Sequence, residues 1–479
     1  MIMGMRGRQS FFANGSRQSR PGLRRFIVLW LVIGIAIEAK AQTPPIGEPS
    51  ETVEQADLSE AEAEFDASDE QGQVPLDESF GELSTREQIR KQRKKALQDT
   101  ALDVQLRTYY LDRNRFDGSQ SEAWALGGRI GVKTGYFRER FAFGATAFTS
   151  QRLYGPEDKG GTGLLAPIQQ GYSVLGEIYG EYMLMDGLAL EFGRKGFNTA
   201  FVNESDTRMT PNTFQAAVLL GEMGGENGSS KWRFGAGYFD KIKEKTSEKF
   251  ISMATAAGAL DGVERGVYAA GVNVSKPLSS GDFSLGAINY YSADILNIFY
   301  TEAKYTFPVS DGAFLQLAAQ YIAQDSVGSD LQFGVPFSAS QIGVKAELAI
   351  GDTLFTTSWN GNGNDDALQS PWGNIPSYNS VQVQDFNLAG VDSILLRAEY
   401  AFKSVPGLSA YAAWVHGSHP KDPAESAQDE YDFNIQWNAP QGPFKGLSVR
   451  LRYAVVTQDI GGPDFQDFRL IVNYDPPSL

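Results

Sequence analysis

The sequence contains no cysteine, so no disulfide contributes to its stability. Histidine is nearly absent as well. His416 and His419 are the two present, and they sit close together in what reads as one loop. That leaves no Ser-His-acid set and no metal-ligand spacing, and it argues against a barrel enzyme of the lipase type. Beyond the N-terminus no stretch offers ~18 apolar residues in a row, which excludes a helical membrane protein. Lys and Arg are missing altogether between residues 42 and 85, although the whole chain carries 42 of them against 58 Asp and Glu. What is abundant is glycine, tyrosine and phenylalanine (51, 20 and 30 residues). That mixture suits short strands, tight turns and aromatic girdles.

The N-terminus reads as an export signal. Arg17, Arg20, Arg24 and Arg25 precede the apolar run Phe26 to Ile37, and Ala39-Lys40-Ala41 follows. A basic region, a short apolar region and an A-x-A site make a secretory signal peptide over residues 1–41. Residues 42–100 form a second region. Its first part is acidic, with Glu60, Glu62, Glu64, Asp69 and Glu70, and poor in apolar residues. Such a segment buries too little surface to offset its ordering entropy and is expected to be a disordered periplasmic segment. A basic, helix-prone run follows from Arg86 to Lys95. It suits the acidic tail, anionic headgroups or plain solvent.

From about residue 101 to 479 the texture becomes strict alternation. Leu102, Val104 and Leu106 alternate with Asp103, Gln105 and Arg107. A strand places these two sets on opposite faces. The same pattern recurs over Ile342–Leu348, Tyr431–Trp437, Leu447–Tyr453 and Phe468–Tyr474. Strands are expected to begin near residues 102, 123, 141, 172, 188, 214, 231, 266, 282, 296, 313, 340, 353, 393, 408, 430, 447 and 467. That is about 18, an even number in the range of bacterial barrels. Short connections such as Met185-Asp186-Gly187, Asp311-Gly312 and Val405-Pro406-Gly407 alternate with long ones near 150–171, 197–213, 241–265, 324–339, 360–392 and 416–429. A transmembrane barrel sorts its turns and loops in this way, with both termini periplasmic, and a soluble sandwich has no reason to. The expected fold is an all-β, closed antiparallel transmembrane β-barrel.

One face of the alternation is apolar. The other carries Arg107, Arg129, Lys133, Lys304, Lys345, Arg397, Arg450, Arg452 and Arg469, with Glu177, Glu181, Glu191, Glu302, Glu347 and Glu399. A packed core excludes such charges and a water-filled lumen accepts them. A plug-bearing, TonB-dependent receptor does not fit, because 42–100 is too short and too acidic for a plug.

Several stretches resemble the OprD family of outer-membrane porins. They are Thr108-Tyr109-Tyr110-Leu111-Asp112-Arg113-Asn114, Gly161-Thr162-Gly163-Leu164-Leu165, Asn203 to Phe214, Gly446 to Ala454 and Phe468 to Tyr474. Thr207 and Met209-Thr210 depart from the family's pattern in the third stretch. The resemblance implies an 18-stranded porin whose inward loops narrow the pore. It also implies a ladder of basic side chains guiding carboxylate-bearing solutes. Arg397, Arg450, Arg452 and Arg469 are the expected ladder. Arg107, Arg129, Lys345, Glu347 and Glu399 are further pore-lining charges. Asp206 and Arg208 in the third extracellular loop, and Asp385 in the seventh, mark two expected constrictions. Guanidinium grips carboxylate through a planar fork, and weak sites in series let it pass on. The expected role is a passive channel for small carboxylate-bearing solutes such as amino acids or organic acids, in the outer membrane, without catalytic residues, metal or cofactor. A pore-less structural barrel is the rival that conductance would separate. Expected partners are outer-membrane lipid, those solutes and the barrel-assembly machinery, but no nucleic acid. Outward Leu and Phe suit lipid or a neighbouring copy equally, so monomer and homotrimer both stand open.

Overall fold

A computed structural model describes residues 93–476 except 226, 227 and 261. The expected signal peptide and acidic segment lie outside the described residues, apart from the last residues before the barrel. Of the basic run, Arg93 onward is helical to Gln98. Ala96 of this turn is fully buried, and its carbonyl accepts the Gly135 amide at 3.0 Å.

The strands are β1 (Ala101–Asn114), β2 (Gln120–Lys133), β3 (Phe141–Tyr154), β4 (Tyr172–Met185), β5 (Leu188–Lys195), β6 (Thr213–Gly224) and β7 (Lys231–Lys243). A short β8 (Phe250–Ser252) follows, then β9 (Val267–Leu278), β10 (Gly281–Ser292), β11 (Leu296–Ser310), β12 (Ala313–Ser326) and β13 (Ser338–Ile350). The last six are β14 (Thr353–Asn362), β15 (Asp392–Ala401), β16 (Leu408–Gly417), β17 (Gln428–Asn438), β18 (Leu447–Gln458) and β19 (Phe465–Tyr474). Each pairs antiparallel with its neighbour, and β19 returns to β1 with Asn473 opposite Arg107 and Arg469 opposite Leu111. β8 pairs only with the end of β7, which itself continues to β9. The result is an 18-stranded closed barrel with one extra strand. Closure leaves each of the eighteen barrel strands paired on both sides, which a chain in hydrocarbon needs.

The turns at one end are short: 186–187, 279–280, 311–312 and 351–352. In 402–407 the turn needs its glycine. Gly407 has φ +81°, and a Cβ there would meet the Asn438 carbonyl oxygen at 1.9 Å. The opposite, extracellular end carries loops L1 (115–119), L2 (155–171), L3 (196–212), L4 (244–266), L5 (293–295), L6 (327–337), L7 (363–391), L8 (418–427) and L9 (459–464). L1, L5 and L9 are short, so the sorting is looser than the sequence suggests. Three hairpins have short connections at the extracellular end too, and the long loops are those that fold over the lumen. His416 is also placed differently from the expected loop. It is the penultimate residue of β16, stacks on Trp414, and its Nδ1 lies 3.1 Å from Asp429 Oδ1.

The alternation divides the wall. Leu102, Leu106, Leu126, Ile130, Ile342 and Val344 are exposed on the outside, whereas Tyr109, Leu111, Ala123 and Ala125 are buried inside. Aromatic pairs mark the two ends of the outer surface. Phe141–Tyr182 and Tyr400–Phe402 lie near the short turns, and Tyr238–Tyr268 and Tyr110–Trp124 near the loops. These are the two interfacial girdles of a membrane barrel.

The lumen holds a second apolar body. Phe201 and Val202 of L3, Met253 and Ala254 of L4, Phe337 of L6, and Leu368 and Trp372 of L7 pack on Tyr290, Ile298 and Ile322 of the wall. A smaller cluster joins Leu164 and Leu165 of L2 and Met209 of L3 to Tyr109 and Leu111. Burying a side chain of this size contributes about 1.5–3 kcal/mol. The inward loops are therefore held by packing as well as by polar contacts.

Candidate functional site

The site is the part of the lumen where wall and loops meet. On the wall, strand register decides which charges are neighbours. Arg452 of β18 lies directly opposite Arg469 of β19 and Asn434 of β17. Arg450, two residues from Arg452, shares its face. Its Nε donates to Asn434 Oδ1 at 2.7 Å. Arg452 Nη2 donates to the Tyr411 hydroxyl at 3.3 Å. Arg397 of β15 lies over the Tyr411 ring, 3.9 Å from its centroid, and pairs with Glu399 on its own strand. Arg397, Arg450 and Arg452 are all half-buried.

Other wall charges compensate each other. Lys345 meets Glu347 at 2.9 Å, Arg129 meets Asp103 at 2.6 Å, and Lys304 meets Glu302 at 3.5 Å. Glu181 receives both Lys133 at 3.0 Å and Lys195 at 3.2 Å, and Lys195 also reaches Glu191 at 2.8 Å. Like charges in a crowded wall need such partners, because unpaired burial is costly.

L3 crosses the lumen and locks onto β1. Asp206 takes two guanidinium bonds from Arg107, at 2.7 and 2.9 Å, and Arg107 also donates to the Arg208 carbonyl at 2.6 Å. Asn473 Oδ1 accepts the remaining Arg107 Nε at 2.8 Å. Arg208 turns the other way and donates to the Thr162 carbonyl of L2 at 3.0 Å. Lys245 of L4 enters the same region, donating to Ser205 Oγ at 2.9 Å and Thr207 Oγ1 at 3.3 Å. Burial, reinforced by the nearby Arg208 guanidinium, pushes the Lys245 ammonium down to about 8.

L7 spans from one wall to the other. Tyr378 donates to Glu302 Oε1 at 2.8 Å, and Lys345 lies over its ring at 5.2 Å. Further on, Gln382 reaches the opposite group: its Nε2 donates to Asp467 Oδ1 at 2.9 Å, and its carbonyl accepts Arg469 Nη2 at 2.8 Å. Asp385 is exposed and accepts from Ser380 Oγ. L3 and L7 are tied to each other, since Asn203 Nδ2 donates to the Asn374 carbonyl at 3.1 Å and Ser205 Oγ to Asn374 Oδ1 at 2.6 Å. Trp372 Nε1 ties L7 to L4 through the Met253 carbonyl at 2.9 Å.

The structure thus separates the charges expected to line the pore. Arg397, Arg450 and Arg452 share one stretch of wall. Arg469 faces the same way, yet it is only 3% exposed, sealed by Asp467 on its own strand and by Gln382 of L7. Arg107 is 7% exposed beneath L3. Both are covered because loops distant in sequence fold onto them. Lys345, Glu347 and Arg129 lie in wall ion pairs, and Glu347 and Arg397 flank Thr356 of β14. Lys245, Gln382, Glu430, Asp432 and Asp467 were not singled out from sequence. The last three were findable in principle, because they stand on inward positions of alternating strands. Among the described residues no cluster of His, Asp and Glu is arranged to hold a metal ion.

A closed antiparallel barrel with an apolar exterior, aromatic girdles, charged lumen and inward constricting loops is an outer-membrane porin. The chain belongs to the OprD family: the family model for outer membrane porins of the OprD family matches residues 94–477. Porin D of Pseudomonas aeruginosa is 25% identical over 447 residues, covering 79% of this chain and 91% of that protein. The fold is similar to that of OccK9 (OpdG) from Pseudomonas aeruginosa, with a TM-score of 0.70 at 21% identity over 80% of this chain and 99% of the other. It is also similar to OpdK of the same organism in its structure with vanillate. There the TM-score is 0.67 at 20% identity, over 79% and 99% of the two chains.

Proposed function

We propose that this outer-membrane porin favours small solutes bearing a carboxylate. The observation that carries the reading is the run of half-buried guanidinium groups on one stretch of inner wall, Arg397, Arg452 and Arg450. Arg450 and Arg452 descend β18 toward the periplasmic turns. A carboxylate leaving the upper group therefore meets the lower one next. A guanidinium can turn two parallel donors toward a carboxylate. The sites are shared with Glu399, Asn434 and Tyr411, and such competition keeps each one weak enough to release its solute. Vanillate, which accompanies OpdK, is itself a carboxylate, and that agrees with the reading. Arg397 stacked on Tyr411 adds an aromatic face beside the cations, suited to planar acids.

The test is uptake by liposomes carrying the purified porin. Arg450→Ala with Arg452→Ala should slow entry of benzoate more than entry of benzamide, which has nearly the same size and no charge. Equal slowing of both solutes, or of neither, overturns the reading.

A further inference from the structure

Glu430 and Asp432 stand two apart on β17 and face the lumen, where each is essentially fully buried. The wall around them offers no counter-charge at their own level. Glu430 lies between Val415 and Val456 on the adjacent strands, and Asp432 between Ala413 and Ala454. Their donors come instead from the L7 tip. Val383 N donates to Glu430 Oε1 and Gln384 N to Glu430 Oε2, each at 2.8 Å. Gln382 N donates to Asp432 Oδ2 at 3.2 Å. Three consecutive backbone amides thus point at two carboxylates on one strand. The same tip covers Arg469 through the Gln382 carbonyl and grips Asp467 through the Gln382 side chain.

We propose that Glu430, supported by Asp432, is a positioning residue that latches the L7 tip across the lumen, so that the latch sets the open width of the pore and keeps Arg469 covered. Buried amides need acceptors, and here Glu430 and Asp432 supply them. The tip carries no charge of its own at 382–384, and its amide bonds act together with the Gln382 contacts to Asp467 and Arg469. With Glu430 shortened, two of the three amides lose their acceptors, the tip is held through Gln382 alone, and it leaves the wall more often. Arg469 then becomes reachable from the lumen.

The chain has no native cysteine, so Val383→Cys places a single thiol on the tip. The rate at which a small methanethiosulfonate reagent modifies it is measured in otherwise unchanged protein and with Glu430→Ala or Glu430→Gln, together with single-channel conductance in planar bilayers. Heat-modifiable migration in detergent gels confirms that each variant is a folded barrel. Glu430→Ala should raise the modification rate about tenfold, since two amide hydrogen bonds of the tip are lost together. It should also raise conductance, with Glu430→Gln intermediate because the amide oxygen still accepts one bond. A folded Glu430→Ala barrel whose thiol reacts at the original rate and whose conductance is unchanged overturns the proposal. Conductance to a simple salt reads the latch independently of the carboxylate preference argued above, so either idea can fail while the other stands.

Discussion

Asp206→Asn removes the charge from the contact that pins L3 to the barrel wall. Asp206 makes two charge-assisted bonds to Arg107, and such bonds are worth about 1.5–3 kcal/mol each where they are buried. Two features reduce that figure. The Asp206 side chain is 34% exposed, so solvent screens part of the interaction. Arg107 also keeps the Arg208 carbonyl and Asn473 Oδ1, so its charge is not orphaned. About 2 kcal/mol is a reasonable net loss, which corresponds to about a 30-fold shift toward a released L3. Trypsin cleavage after Arg208 reads that equilibrium directly. Arg208 is tied to the Thr162 carbonyl, and the bond is cut only when the loop leaves the wall. Cleavage of Asp206→Asn should be about 30-fold faster, and Arg107→Ala should act on the same contact. The double variant should add little. The barrel itself should keep its heat-modifiable migration, because the backbone seam between β1 and β19 is untouched. Cleavage at the original rate in Asp206→Asn would show that packing of Met209 and Phe201, and not the ion pair, holds L3 in place.

Lys245 predicts a pH response. Its ammonium titrates near 8, so it is mostly charged at pH 7 and mostly neutral at pH 9. Anion selectivity, measured as the reversal potential across a salt gradient, should fall over that interval, and Lys245→Met should remove the step. The stability sign is opposite to that of a favourable ion pair. The folded value lies below the ordinary lysine value of about 10.4, so the charged form is penalised below about pH 8 and the penalty is relieved as pH rises toward the unfolded value. On the lipid side, Val344→Arg places a charge on an exposed outward position midway along β13. It should cost about 2–4 kcal/mol in denaturant titrations of the vesicle-inserted protein. A cost below about 0.5 kcal/mol, the usual range for neutral surface changes, would contradict the lipid-facing assignment.

How much was legible follows from the range over which each feature is determined. A strand's face is set by neighbours two residues away. Leu102–Arg107 and Leu447–Tyr453 therefore announce both the strand and its lumen side, and the observed strand starts fall within a few residues of the expected ones. β8 escaped because Phe250–Ser252 is too short to alternate and owes its existence to the end of β7. The loops escaped for a different reason. Arg107 meets Asp206, Asn203 meets Asn374 and Trp372 meets Met253, all across about a hundred residues or more, with no periodicity to betray them. Whether an inward arginine is offered to a solute therefore cannot be read from its own strand. Arg452 and Arg469 are paired across neighbouring strands, and L7 together with Asp467 makes them different.

That difference suggests how the channel divides its labour. Glu181 with Lys133 and Lys195, and Glu347 with Lys345, are matched by cations on the same or a nearby strand, so their geometry is as rigid as the sheet. Glu430 and Asp432 are matched by loop backbone, and Asp206 is the loop's own anchor. Wall pairs of the first kind keep a barrel full of charge stable without exposing it. Contacts of the second kind convert a loop's position into a change of exposed charge, because Arg107 and Arg469 lie directly beneath the segments they hold. Arg397, paired with Glu399 on its own strand, and Arg450 and Arg452 are fixed to strands as the wall pairs are, yet they stay half open to the lumen. A basic track of constant geometry, bordered by covered arginines whose exposure depends on L3 and L7, lets loop sequence change what passes while the eighteen-stranded wall stays the same.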